Sequence, residues 1–471
     1  MRVYLDNSAT TRPYPEVARL VMEAMEGVYG NPSALHDAGL AAEKAVREAR
    51  RRLADAAGAE PDSLVFTSGG TESDNMALIC GAESGKRRGK RIISSRIEHP
   101  AVIESCRALE EKGFEVAFAD VDSHGAVVPA SVEQLMNEDA ILISCMHVNN
   151  ETGTIQPVGE LLRLRDSFER RVGRRLLFHV DAVQSFGKIP LDFGLGFFGK
   201  SIDEVKDGNF FSQYCENFNN CRNSPGGADL IAFSAHKIHG PMGSGALYVR
   251  RGVNIKPLIY GGGQERGLRS GTENVPAIAG FGLAAKMASE RLGSRAAFVA
   301  GLRKRLLSGL LSEVGDIKVN GHAEVLRESA AAAGPAGDAA GPPAGAAQMA
   351  RSAQAARSAQ TAQAAQMAQT ARSAQMAASP YILNVSFRGI RGEVLLHDLE
   401  SKGIFVSTGS ACSSKKGGGS PVLKAMGLPQ ADVEGAIRFS LSEFNTAEEI
   451  DYAVEAVKAS AARLRRLRRF R

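Results

Sequence analysis

Tryptophan is absent, and aromatic residues of every kind make up only 6% of the 471. Cysteine is scarce, with six residues at positions 80, 106, 145, 215, 221 and 412 in no framework spacing. That excludes a small disulfide-stapled secreted scaffold. Only Cys215 and Cys221 lie close together, and their five intervening residues fit no zinc spacing. No apolar run approaches the ~20 residues that cross a bilayer, so no membrane association is expected. The start, Met1-Arg-Val-Tyr-Leu-Asp-Asn-Ser8, lacks the charged lead and long apolar core of a secretory signal, which makes cytoplasm the expected compartment. An excess of one charge is also missing from the body. The last nine residues carry six arginines, and without them 51 basic residues face 52 acidic ones. The body therefore has no broad nucleic-acid footprint, and no direct nucleic-acid partner is expected. The tail 463–471 suits a solvated helix end better than an acidic partner or an RNA backbone, because cations favour helix C-termini.

What remains is a chain that is 44% apolar and long enough for two cored domains. Pro15–Gly27 and Ala41–Ala57 have the periodicity of amphipathic helices. Ser63–Thr67, Arg91–Ser94, Glu115–Ala119, Ala140–Met146, Leu176–Val180 and Leu230–Ser234 are short apolar runs fit for buried strands. Strands separated by helices predict an α/β fold with a mainly parallel sheet covered on both faces. Ligands of such sheets sit at the carboxyl ends of strands. Two stretches break the rhythm. Residues 196–227 read as an insertion rich in Asn, Phe, Gly and Ser. Residues 329–379 are dominated by Ala, Gln, Gly and Pro, offer almost no large core residue, and read as a low-complexity linker. A strand resumes over Tyr381–Phe387 and a helix over Gly392–Lys402.

Several polar residues end apolar runs where a bare charge is costly. Lys237 closes Leu230-Ile-Ala-Phe-Ser-Ala-His-Lys237 ahead of a glycine-rich run. A lysine there either snorkels to water or has its charge removed and becomes a nucleophile. Phe178-His179-Val180-Asp181 carries an acid suited to a pyridinium nitrogen. Ser68-Gly-Gly-Thr-Glu-Ser73 opens a helix after a strand, so Gly70 and Thr71 offer a phosphate cradle that Ser234 and His236 can join. His99 suits ring stacking and proton transfer, while Asn150 and Gln184 suit a phenolate oxygen; each equally suits a structural hydrogen bond. Arg438, inside an apolar strand, needs a carboxylate, either a substrate's or a structural partner's. Cys412, in Ser407-Thr-Gly-Ser-Ala-Cys-Ser-Ser414 before Lys415-Lys416-Gly-Gly-Gly, has the mobile, electropositive setting of a reactive thiolate.

These segments together resemble the cysteine desulfurases of the NifS/IscS type, within the class V aminotransferase group of fold-type I pyridoxal phosphate (PLP) enzymes. The motifs that carry the resemblance include Gly30-Asn-Pro-Ser-Ala-Leu-His36, Glu98-His-Pro100, Asn149-Asn-Glu-Thr-Gly153 and Gly261-Gly-Gly-Gln-Glu-Arg-Gly-Leu-Arg-Ser-Gly-Thr272, beside those above. The resemblance implies a seven-stranded-type sheet in a large domain over 14–265, interrupted by the 196–227 insertion. It implies a smaller α+β domain from 1–13 and 266–471. Lys237 would bind PLP covalently, Asp181 would pair with its ring nitrogen and His99 would stack on the ring. Gln184 and Asn150 would contact its polar edge, with Asn150 also near the substrate. Gly70, Thr71, Ser234 and His236 would take its phosphate, and Thr272 would reach the phosphate of a second subunit in a homodimer. Arg438 would hold the carboxylate of L-cysteine, and Cys412 would take the sulfur as a persulfide for a protein acceptor, an iron–sulfur scaffold or a thiolation protein. The rival readings are selenocysteine lyase, another class V activity, or an inactive scaffold. The departures from the family pattern, Ala235 and Met242, are expected to be tolerated.

Overall fold

The structure is a computed structural model that describes residues 1–191, 227–322, 378–409 and 419–469. The 196–227 insertion apart from Gly227, the linker up to residue 377, residues 410–418 and the last two residues lie outside the described residues, as do Cys215, Cys221 and Cys412.

Twelve strands are described: β1 (Val3–Tyr4), β2 (Leu64–Thr67), β3 (Arg91–Ser95), β4 (Glu115–Ala119), β5 (Ala140–Met146), β6 (Leu177–Asp181), β7 (Leu230–Ser234), β8 (Gly245–Val249), β9 (Ile317–Asn320), β10 (Ile382–Phe387), β11 (Ile404–Phe405) and β12 (Ala436–Ser440). Seven form one sheet in the order β2-β8-β7-β6-β5-β3-β4. Its β7-β6-β5-β3-β4 run is parallel throughout, and only β8 runs against its two neighbours. The interior strand β5 is buried along its whole length, as its unbroken Ala-Ile-Leu-Ile-Ser-Cys-Met sequence requires when both faces are covered.

Side chains alternate across the sheet. Phe178, Val180, Ile231 and Phe233 enter one core, while Leu177, Leu230 and Leu247 enter the other. Each fully buried phenylalanine contributes about 2–3 kcal/mol of transfer free energy. On the first face the helix Val275–Glu290 crosses the helix Asp37–Ala57 closely, because Gly282 brings no side chain; a Cβ there would stand 2.6 Å from Ala49 Cα. The Asp37 helix starts a turn earlier than its apolar periodicity implies. His36 caps it, Nδ1 accepting from the Gly39 amide at 3.2 Å. On the other face lies a helical run from Gly70–Asn75 through a π turn, Met76–Cys80, to Gly81–Gly85. A separate core gathers the antiparallel β12-β10-β9, the parallel pair β1-β11 and the helices Leu292–Glu313, Gly392–Glu400 and Ala447–Arg469. The chain start is tied into it, since Asp6 bridges Ser440 at the end of β12. Among the described residues, no helix is long and apolar enough to cross a membrane.

Candidate active site

Adjacent parallel strands β6 and β7 end at Asp181 and Ser234, and the turn after β7 delivers Lys237. The helix opening at Gly70 meets both. A Cβ on Gly70 would stand 2.7 Å from Val183 Cγ2 and 3.6 Å from Ser234 Cβ, so only glycine lets this helix start press against the segment after Asp181. Gly69, at φ +155°, makes the bend that leads into it. Ser234 Oγ is buried and has no hydrogen-bond partner among the described residues. An unpaired hydroxyl beside a glycine turn and a helix start is a place for an acceptor-rich anion such as a phosphate. Thr71 is exposed on the same turn, and His236 Nδ1 lies 3.2 Å from Thr10 Oγ1.

Asp181 is buried with its Oδ1 accepting from the Val183 amide at 2.9 Å. Burial, aided by nearby Asp74, pushes its carboxyl up to about 7. A buried acid in this condition gains from a cationic N–H, the group a protonated pyridine ring offers. His99 caps the helix Pro100–Glu111, its Nδ1 accepting from the Ala101 amide at 3.2 Å. That bond leaves the ring proton on Nε2. Burial and the Lys237 charge push the imidazole down to about 4, so it is neutral. Lys237 is half-buried, and its Nζ donates to the carbonyls of Ser8 at 2.6 Å and Ala9 at 2.7 Å. The residues present therefore fit PLP: an amine, an acid for the ring nitrogen, a neutral imidazole and a phosphate cradle.

The other expected residues divide. Gln184 lies beside the lysine, but its amide is already paired, Nε2 donating to the Ser8 carbonyl at 2.9 Å and Oε1 accepting from Lys188 at 3.0 Å. Asn150 is buried, and its carbonyl accepts from Arg438 Nη1 at 2.9 Å. Arg438 is 1% exposed and also donates through Nη2 to Asp6 Oδ1 at 2.8 Å, while its Nε has no partner among the described residues. A structural carboxylate and an N–H left for a further acceptor thus coexist at one guanidinium. Thr272 stands exposed on the loop before the helix Val275–Glu290. Cys412 lies outside the described residues, but both roots of its loop are placed. Ser407 bridges Arg438, Gly409 packs against the Glu151 carboxylate, and Ser420 Oγ donates to Glu151 Oε2 at 2.5 Å.

Three acids or bases escaped the reading of the sequence. Asp74 and Glu98 are buried near Asp181, and burial raises both carboxyls, Glu98 to about 8. Lys188 is buried between Gly187 and Ile189. Its signal was available: a lysine inside Ser185-Phe-Gly-Lys-Ile189 has the same polar-in-apolar setting that singled out Arg438.

The aminotransferase class-V family model matches residues 3–194, 223–333 and 343–453. The chain belongs to the class-V aminotransferase family. Within that family it is 38% identical to the cysteine desulfurase IscS of Photorhabdus laumondii over 99% of this chain and 94% of that protein. That likeness places it among the cysteine desulfurases. A solved NifS-like protein superposes with a TM-score of 0.74 at 34% identity, covering 98% of this chain and all of that one. The structure of SspA in complex with cysteine superposes at 0.66 with 27% identity, covering 95% of this chain and all of that one. The α/β expectation and the class V resemblance are thus borne out. The family match skips 195–222 and 334–342, stretches that fall within or against the two compositionally odd segments.

Proposed function

We propose that this class-V enzyme binds PLP through Lys237, Asp181, His99 and the Gly70–Ser234 cradle, and converts L-cysteine to L-alanine with the sulfur carried on Cys412. The observation that carries this reading is the meeting of Lys237, Asp181, Ser234 and Gly70 at the ends of neighbouring strands and one helix. When bound, PLP supplies an electron sink that weakens the bonds of an attached amino acid. The protein does the rest. Asp181 holds the proton of the ring nitrogen, and Thr71, Ser234 and His236 join Gly70 at the phosphate. Gln184 and Asn150 border the ring's polar edge. Arg438 receives the substrate carboxylate in exchange for, or alongside, Asp6. Lys237 Nζ, freed from the Ser8 and Ala9 carbonyls, moves protons at the substrate carbons, and the neutral His99 covers the ring and can donate from Nε2.

Sulfur transfer balances without an outside oxidant. The Cys412 thiolate forms an S–S bond with the substrate sulfur, the C–S bond breaks with its electron pair left on carbon, and that carbon takes a proton to become alanine. The three described cysteines are unsuited to the task. Cys80, Cys106 and Cys145 are buried, and burial pushes the first two thiols up to about 11 and 12 and the third well above its ordinary value. The Cys412 persulfide then serves a sulfur-acceptor protein, an iron–sulfur scaffold or a thiolation protein, in the cytoplasm. A second copy of this chain covers the exposed apolar side chains Met22, Met25, Tyr29, Leu35 and Tyr260 and brings its Thr272 to the cradle. The domain division at residues 14 and 265 belongs to the same reading.

The test is spectral and chemical. Wild-type protein supplied with PLP should show a near-visible band and release alanine from cysteine, and Lys237→Ala should lose both. Alanine production by Lys237→Ala at the wild-type rate would remove Lys237 from the reaction.

A further inference from the structure

Behind Lys237 lies a small cavity whose lining includes Lys188, Arg295, Tyr381, Asn7 and Glu443 together with Lys237 itself. Lys188 is 6% exposed, yet among the described residues it has no ion-pair partner. The one carboxylate in the lining, Glu443, is taken by Arg295, the Tyr14 hydroxyl and His239. Lys188 instead donates to Gln184 Oε1 at 3.0 Å, one turn earlier in the chain. Its ammonium also sits 5.8 Å from the Tyr381 ring centroid. A buried lysine set on an amide oxygen is costly unless its charge is put to use.

The geometry carries that charge to the reactive amine. With Oε1 committed to Lys188, the Gln184 amide must turn its Nε2 the other way, where it donates to the Ser8 carbonyl at 2.9 Å. The same carbonyl oxygen receives Lys237 Nζ at 2.6 Å. We propose that Lys188 is a positioning residue for Lys237: through Gln184 it fixes which end of the amide faces the Ser8 carbonyl, and its charge disfavours a second positive charge on the Lys237 nitrogen. The proposal rests on the reading of Lys237 as the cofactor lysine. Burial and the neighbouring cation of Lys237 hold the Lys188 amine down to about 7, so its charge is itself sensitive to what Lys237 carries. The groups that face the pair from the cavity side are Arg295, Glu443, Tyr381, His239 and Arg438. Those that face Lys237 from the site are Asp181, His99 and His236.

The experiment titrates the near-visible band of the PLP-loaded full chain with pH in wild type, Lys188→Gln, Lys188→Met and Lys188→Arg. Removing a cation favours protonation of the nitrogen that gives the band. The Gln and Met variants should therefore move the midpoint upward by about half a unit or more, and Arg should keep it near wild type. Lys188→Gln keeps a donor and a side chain of similar length, which guards against a simple failure to fold. A purely structural role would lower the melting temperature of the variants and leave the midpoint where it was, and that result overturns the proposal. Absence of a band in wild type would sink the cofactor reading itself, and this proposal with it.

Discussion

Asp181→Asn should act in opposite directions on the empty and the loaded enzyme. In the empty fold, burial raises the Asp181 carboxyl to about 7, against 3.8 for an ordinary aspartate. At about 1.4 kcal/mol per pKa unit, holding it as an anion above pH 7 costs the empty fold up to about 4 kcal/mol. A carboxyl raised on folding contributes its stability in full below the unfolded value near 4 and loses it as pH climbs through 7. Asparagine has no such dependence, and its Oδ1 can keep the bond from the Val183 amide. The PLP-free Asn variant should therefore melt a few degrees higher than wild type at pH 8 and at nearly the same temperature at pH 4.5, since a chain of this size gains only about 1 °C per kcal/mol. With PLP the order should reverse, because a neutral amide cannot balance a protonated ring nitrogen, and affinity should fall at least tenfold. Differential scanning calorimetry on both forms at both pH values is the assay. An Asn variant that is less stable than wild type when empty at pH 8, or that binds PLP as tightly as wild type, would refute the placing of Asp181 as a strained acid awaiting a cation.

Three further outcomes follow. Gly70→Ala should weaken PLP binding tenfold or more, since its Cβ would stand 2.7 Å from Val183 Cγ2, and equilibrium dialysis reads the loss. Arg438→Lys should raise KM for cysteine about tenfold while leaving the near-visible band, because an ammonium cannot hold the Asn150 carbonyl, Asp6 and a substrate carboxylate in one fork; an unchanged KM argues for a purely structural arginine. Deleting residues 329–376 and closing the gap with a short Gly/Ser link should leave turnover near wild type, provided Ala378 and Ser379 stay, since Ser379 donates to the Gly153 carbonyl at 2.7 Å beside the site; lost activity would mark the segment as integral.

Much of this arrangement was legible because the strands that build it are short apolar runs with polar ends. Six of the seven strands in the large sheet show as such runs, and Asp181, Ser234 and Lys237 were visible as the polar residues that close them. The antiparallel β8 was not, because Gly245–Val249 returns straight after the lysine turn with no helix between to announce a strand. Arg438 read as a residue in need of a carboxylate, but its structural partner Asp6 lies 432 positions away, a distance no local pattern spans. Asp74 sits in a helical run with ordinary polar neighbours, and its burial arises only when that helix lies across the sheet beside His179. Gln184 was assigned to the cofactor edge by the family resemblance, and the fold adds what the resemblance could not show, a buried lysine one turn on that holds its amide.

The path of the sulfur is the claim on which the account turns. Wild-type protein treated with L-cysteine, alkylated without reductant and digested should carry one extra sulfur atom on the peptide containing Cys412, with alanine released. Cys412→Ser should keep the near-visible band, bind cysteine and make almost no alanine, since a hydroxyl is a poor sulfur acceptor. Finding the extra sulfur on Cys215 or Cys221, with Cys412→Ser still turning over, would contradict the account and make 196–227 the catalytic arm.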